Sequence, residues 1–112
     1  VTSFLNVYLC GLIFNNKLLL VMYLSKEIKE KVFENHGRSK SKSDTGSPES
    51  QIALFTHRIT HLTAHMKSNK KDYSTQQGLL RLVGKRRKLL NYLHKIDIER
   101  YRAVLADLNL RK

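Results

Sequence analysis

Acid is scarce in this chain. Nine Asp and Glu stand against 21 Lys and Arg in 112 residues, a formal net charge of +12, and the pI is near 10.1. A small domain this basic repels itself unless it meets a polyanion. Nucleic acid is therefore the leading partner and an anionic membrane surface the second. Cysteine is almost missing: Cys10 stands alone, which excludes an internal disulfide and fits a reducing compartment. Tryptophan is absent and proline occurs once. In a Leu-rich, Lys-rich chain this favours helix over strand. No nucleophile–base pair, phosphate-loop motif or carboxylate pair argues for catalysis. The reading is of a non-enzymatic protein with no cofactor and no small-molecule substrate.

Long apolar runs are few as well. The one candidate is residues 1–21, VTSFLNVYLCGLIFNNKLLLV, with Lys17 as its only charge. A membrane-spanning helix needs about 20 mainly apolar residues, and Asn6, Asn15, Asn16 and Lys17 interrupt this one. A secretory signal needs a basic start and a small-residue cleavage site, and an organelle presequence is rich in Arg and Ser. The segment has neither the basic start nor any Arg. Composition turns strongly polar after Met22. The expectation is a native start at or next to Met22, with residues 1–21 a translated upstream or non-native extension. Residues 22–112 then make one domain, with a net charge of +11 once Lys17 is set aside.

What is present is helical periodicity. Ser25 is placed to cap a first helix from Lys26 to about His36, with Ile28, Val32 and Phe33 on one face and Gly37 as its stop. GRSKSKSDTGS, residues 37–47, has no apolar side chain and reads as a flexible loop. Ser47, Pro48 and Glu49 suit the cap, first position and dipole of a second helix. It runs to about Lys67, with Ile52, Phe55, Ile59, Leu62 and Met66 at helical spacing. A third helix from about Ser74 to His94 turns Leu79, Leu82, Val83, Leu89, Leu90 and Leu93 inward, with the Arg86 stem lying over that side. Asp97 caps a short fourth helix bearing Ile98, Tyr101, Val104, Leu105 and Leu108, and Asn109 suits the left-handed position beyond it. The fold class is all-α: a small four-helix domain, three longer helices packed as a bundle with a short N-terminal helix.

The polar segments carry the chemistry. Asp44-Thr45-Gly46-Ser47 is a turn and cap on one reading, and a phosphate site built on exposed helix N–H groups on the other. His57, His61 and His65 recur every four residues, on one helical side. That spacing suits zinc, but no second ligand cluster accompanies it, and no metal is expected. A solvated face and a nucleic-acid contact are the readings that compete. Asp72 reads as a cap for the third helix. It reads equally as an acceptor for a guanine amino group in the shallow minor groove of A-form RNA, with His65 and Thr75 completing a polar set. Arg58, Arg81, Lys85, Arg86, Arg87 and Lys88 are the main cations. A helix spreads residues 85–88 around its axis, so they cannot all follow one phosphate track. Tyr92 is either a core-edge residue with a wet hydroxyl or a stacking group for RNA.

Asp44-Thr45-Gly46-Ser47, Gln51, His61-Leu62, His65, Lys70-Lys71-Asp72, Gly78-Leu79-Leu80 and the run from Arg86 through Leu93 share an order and spacing. This pattern resembles the bacterial small-subunit ribosomal protein S-fifteen family, over about Met22 to Lys112. The resemblance implies a four-helix protein that binds the central domain of small-subunit ribosomal RNA, at a three-way junction and a nearby irregular duplex. It implies a role in early subunit assembly and a cytoplasmic, ribosome-bound location. Implied partners are that RNA, other small-subunit proteins and the large subunit through an intersubunit contact, with no membrane. The resemblance and the charge pattern give RNA-binding positions Thr45, Gly46, Gln51, Arg58, His65, Lys71, Asp72, Thr75, Arg87, Lys88 and Tyr92. The chain departs from the family at Thr75, where serine is usual, at Asn69, where histidine is frequent, and at Gln76 and Gln77, where basic residues are frequent. Residues 38–43 are expected to order on the ribosome.

Two other classes compete. A helix-turn-helix DNA-binding regulator shares the charge and the helices, but the segment 67–75 is longer than the 3–4-residue turn of that motif and lacks its glycine. A basic helical protein on membranes would require residues 1–21 as an anchor.

Overall fold

Capping residues set the helix boundaries. The computed structural model describes residues 24–111, so the expectation for residues 1–21 lies outside the described residues. Four helices follow in order: α1 (Lys26–His36), α2 (Pro48–Ser68), α3 (Tyr73–Ile96) and α4 (Ile98–Asp107). They are 11, 21, 24 and 10 residues long. The all-α, four-helix expectation is met, and no strand occurs among the described residues.

Ser25 accepts from Ile28 N–H, Ser47 from Ser50 N–H, Asp72 from Thr75 N–H, and Asp97 from Glu99 and Arg100 N–H. Each cap satisfies amides that a helix start leaves without a partner. At the far end, Asn109 takes φ 50°. Its N–H reaches the Ala106 carbonyl at 3.4 Å while Leu110 N–H reaches Leu105 at 3.0 Å. That is the paired closure of a left-handed helix stop.

Gly37 ends α1 for a different reason than a left-handed stop. Its φ is −66°, which any residue adopts. A Cβ there would collide with the Phe33 carbonyl and would lie 2.8 Å from Ser50 Oγ and 2.9 Å from Asp44 Oδ2. Glycine is required by close approach, which only the packed chain reveals.

The loop from 38 to 46 is ordered within the chain itself. Lys40 N–H donates to Gly37 O at 3.2 Å, Asp44 N–H to Ser41 O at 3.1 Å, and Thr45 N–H to Ser43 O at 2.9 Å. Its polar composition had pointed to flexibility; short-range hydrogen bonds supply the order that apolar contacts do not.

Tyr73 already belongs to α3, so only Asn69 to Asp72 separate the two long helices. The turn is short, and its length does not distinguish this hairpin from a helix-turn-helix. Packing direction does. Arg86 Nη1 reaches Thr56 Oγ1 at 3.3 Å, and Ile52, Leu93 and Val104 share one core cluster. α2 and α3 therefore lie antiparallel along their length rather than crossing steeply.

α1 packs against α2 and α4 against α3, both at the hairpin end remote from the turn. There Val32, Phe33, Ile52, Ala53, Leu93, Val104 and Leu105 are buried. Glu49 Oε1 accepts from Arg100 Nε at 2.7 Å, and Arg100 Nη2 also reaches it. His36 Nδ1 meets Asp107 Oδ2 at 2.5 Å, tying the ends of α1 and α4. Toward the turn, Phe55, Ile59, Leu62, Met66 and Leu79 are only half-buried, since two helices alone cover one side of each. Ile98, expected on the apolar stripe of α4, is 45% exposed at that helix's first position.

Candidate nucleic-acid interface

Helical phase places the candidate residues. On α2, Gln51, Arg58 and His65 recur every seven residues and share one stripe. They lie about 100–140° around the axis from buried Ile52. On α3, Arg81, Lys88, Tyr92 and Lys95 lie about 80–140° from buried Leu82 in the same rotational sense. In an antiparallel pair, equal offsets in the same sense fall on the same side, so the two stripes share one face of the hairpin. Arg58, Arg81, Lys88, Tyr92 and Lys95 are all exposed. Arg87 is exposed too, but it turns to the opposite face. Lys95 and Arg81 were absent from the expected set. Their spacing from Lys88 and Tyr92 was the available signal.

Two polar clusters occupy the ends of this face. Gln51 and His65 are 14 positions apart, about 21 Å along a helix. The register fixed by Arg86 and Thr56 brings Tyr92 level with Ser50 and Gln51.

At the first cluster, Gln51 Nε2 donates to the Thr45 carbonyl at 2.6 Å and folds the loop back onto α2. One amide hydrogen and the side-chain carbonyl of Gln51 remain available. Thr45 and Gly46 are exposed. Gly46 has no positive φ, and a Cβ there would meet nothing within 4 Å. Nothing inside the chain requires a glycine at 46. Ser47 Oγ already takes Ser50 N–H at 3.3 Å and Glu49 is buried in the first turn. The start of α2 is thus partly occupied by its own cap and a carboxylate, and Thr45–Gly46 is its open part.

At the second cluster, Asp72 Oδ1 accepts from Thr75 N–H at 3.2 Å. Its Oδ2 accepts from Thr75 Oγ1 at 2.5 Å and meets His65 Nε2 at 3.1 Å. These bonds from Thr75, and then from His65, hold the Asp72 carboxyl below the usual carboxylate range. An ionised carboxylate offers about four lone-pair sites. Three are used, and the remaining one on Oδ1 suits one further donor. Asp72 is thus both the cap of α3 and an acceptor. Asn69 Nδ2 lies 3.3 Å from His65 Nδ1, a contact that sequence reasoning missed. With the amide donating there, His65 carries its proton on Nε2 and donates to Asp72. Lys71 is exposed in the turn.

Two further titratable groups are perturbed by burial. Arg86 is half-buried against Thr56, and burial lowers its pKa. His61 is held below the ordinary imidazole value by burial and by its neighbours His65 and His57. No described helix is long and apolar enough to cross a membrane.

A basic helical hairpin that displays polar clusters and cations along one face is the build of a module suited to a polyanionic partner. The family model for Ribosomal protein S15 matches residues 29–111. Over 91 residues, 81% of this chain, it is 69% identical to the small ribosomal subunit protein uS15 of Cytophaga hutchinsonii, all of which is covered. The uS15 proteins of Christiangramia forsetii and Porphyromonas gingivalis are 62% and 58% identical over the same 81% of this chain and all of their own length. The chain belongs to the ribosomal protein S15 family. It is a non-enzymatic component of the small ribosomal subunit.

Proposed function

We propose that this protein binds the central domain of small-subunit ribosomal RNA with one face of the α2–α3 hairpin, engaging two RNA elements at once. The Thr45–Gly46–Gln51 end, with Arg58, Lys88 and Tyr92, takes the three-way junction. The His65–Asp72–Thr75 end, with Lys71, takes the shallow groove of the adjacent duplex, where the free Oδ1 site accepts a guanine amino proton. A rigid spacer of about 21 Å between the clusters fixes the relative position of the two RNA elements, which is how binding aids subunit assembly. Partners are the ribosomal RNA, neighbouring small-subunit proteins and the large subunit near the intersubunit interface. The observation that carries this reading is the common face of Gln51, Arg58, His65, Lys88 and Tyr92. Gly46 adds support: an exposed glycine without an internal reason leaves backbone open to a phosphate.

Two RNAs test it, one holding only the junction and one only the irregular duplex. Gln51→Ala weakens binding to the first and leaves the second unchanged, while His65→Ala does the reverse. If both substitutions weaken both RNAs alike, the two-ended reading is wrong.

A further inference from the structure

Asp44 lies next to the proposed junction contacts, yet it is an acid on a surface meant for phosphate. By charge alone it opposes binding. Its surroundings give it other work. Asp44 Oδ2 accepts from Ser39 N–H at 2.9 Å and from Ser47 Oγ at 3.2 Å. Ser47 shares its single hydroxyl proton between that oxygen and Ser50 Oγ at 2.8 Å, while accepting Ser50 N–H. The same oxygen would be 2.9 Å from a Cβ at Gly37. One carboxylate oxygen therefore ties the exit of α1, the middle of the loop and the start of α2. On the other flank, Gln51 Nε2 holds the Thr45 carbonyl at 2.6 Å. Thr45 and Gly46 project from between these two clamps and are themselves exposed.

We propose that Asp44 is a positioning residue that sets the Thr45–Gly46 turn in its RNA-binding shape before RNA arrives. This rests on the junction reading given above. The loop buries little apolar surface, so its order depends on such hydrogen bonds. Losing the carboxylate lowers the fraction of molecules with the turn in place, and apparent affinity falls by that fraction. A fall to about one-tenth weakens junction binding about tenfold. The negative charge is the cost of a preformed loop.

The test uses the full chain as Asp44→Ala and Asp44→Asn, with amide exchange at Ser39 read by NMR and affinity read against the two synthetic RNAs. Far-UV circular dichroism of both variants checks that the helices persist. In Asp44→Ala, Ser39 N–H exchanges faster and junction affinity drops, while duplex affinity stays. The log-affinity against log-salt slope also stays, because no cation is lost. Asp44→Asn keeps one acceptor oxygen and recovers part of both losses. The proposal is overturned if Ser39 stays protected in Asp44→Ala. It is overturned equally if junction binding tightens, as simple charge removal requires, or if a loosened loop binds as well as before. Gln51→Ala separates the two ideas: if it too leaves junction binding intact, the junction reading itself fails, whereas a loss there with none in Asp44→Ala sinks only the role of Asp44.

Discussion

Where α1 and α4 cover the α2–α3 hairpin, Ile52 and Leu93 are 0% and 1% exposed. Toward the turn, no residue between 57 and 81 is buried. The first end is ordered by apolar burial and by the shielded Glu49–Arg100 pair. The second is ordered by side-chain hydrogen bonds around Asp72. Both ends present residues proposed to face RNA, so stability and proposed recognition are divided differently at each. At the covered end, contact residues rest on a core that does not need them. At the turn end, the group proposed to meet RNA is the group that starts the helix.

That contrast is broken most directly by truncating a large side chain at each end. Leu93→Ala is expected to cost about 3–5 kcal/mol, the range for a fully buried leucine. Met66→Ala, half-buried near the turn, is expected to cost less than half as much. Urea unfolding of both variants measures the difference, and equal losses would erase the distinction between the ends.

Asp72→Asn separates cap from contact. The amide keeps an oxygen for Thr75 N–H, so the helices persist. It loses the charge-assisted acceptance from His65, Thr75 and the proposed guanine amino group. Binding to the target duplex is expected to weaken about tenfold, the scale of one base-specific contact, with little change for a duplex lacking that guanine. Competition titrations with the two duplexes decide it. Tighter binding to both would mean that Asp72 is only a cap and a misplaced charge.

A smaller effect separates the two faces of α3. Lys88→Ala is expected to reduce the salt slope of RNA binding by about one phosphate's worth, because Lys88 shares its side with Tyr92 and Lys95. Arg87→Ala, across the helix, is expected to change the slope less. Equal changes would show RNA reaching around α3 and would restore Arg87 to the contact set.

The smallest effects come from pH. The folded Asp72 carboxyl titrates below its unfolded value of about 3.9. Its contribution is complete above that value and is lost as pH falls through the lower folded value. His61 is also lowered, and the unfolded chain then binds protons first. Its effect appears higher, as a loss of stability when pH drops below about 6.5. Chemical denaturation from pH 7.5 to 3 should show both windows. His61→Gln should remove the upper one and Asp72→Asn the lower; the reverse assignment would refute the coupling.

Much of this was legible in the residues. Ser25, Ser47, Asp72 and Asp97 marked helix starts because a short polar side chain before an apolar period has one favoured use. The 3-and-4 spacing of Ile52, Phe55, Ile59, Leu62 and Met66 marked the inner face of α2. It could not say that Ile52 is sealed while Met66 is half open, because coverage depends on where α1 and α4 come to rest. The DTGS and KKD motifs marked the candidate site, but their internal wiring was hidden.

Local pattern suffices for the helices, their caps and the basic surplus, since these depend on neighbours within a few positions and on total charge. Four features arise only once the chain is packed. Gly37 is there to let Asp44 and Ser50 approach. The loop at 38–46 is tied by its own hydrogen bonds. Arg86 meets Thr56 across the hairpin, and Arg100 shields the buried Glu49. Each depends on which atoms meet across a turn or between two helices, and a linear pattern does not carry that distance.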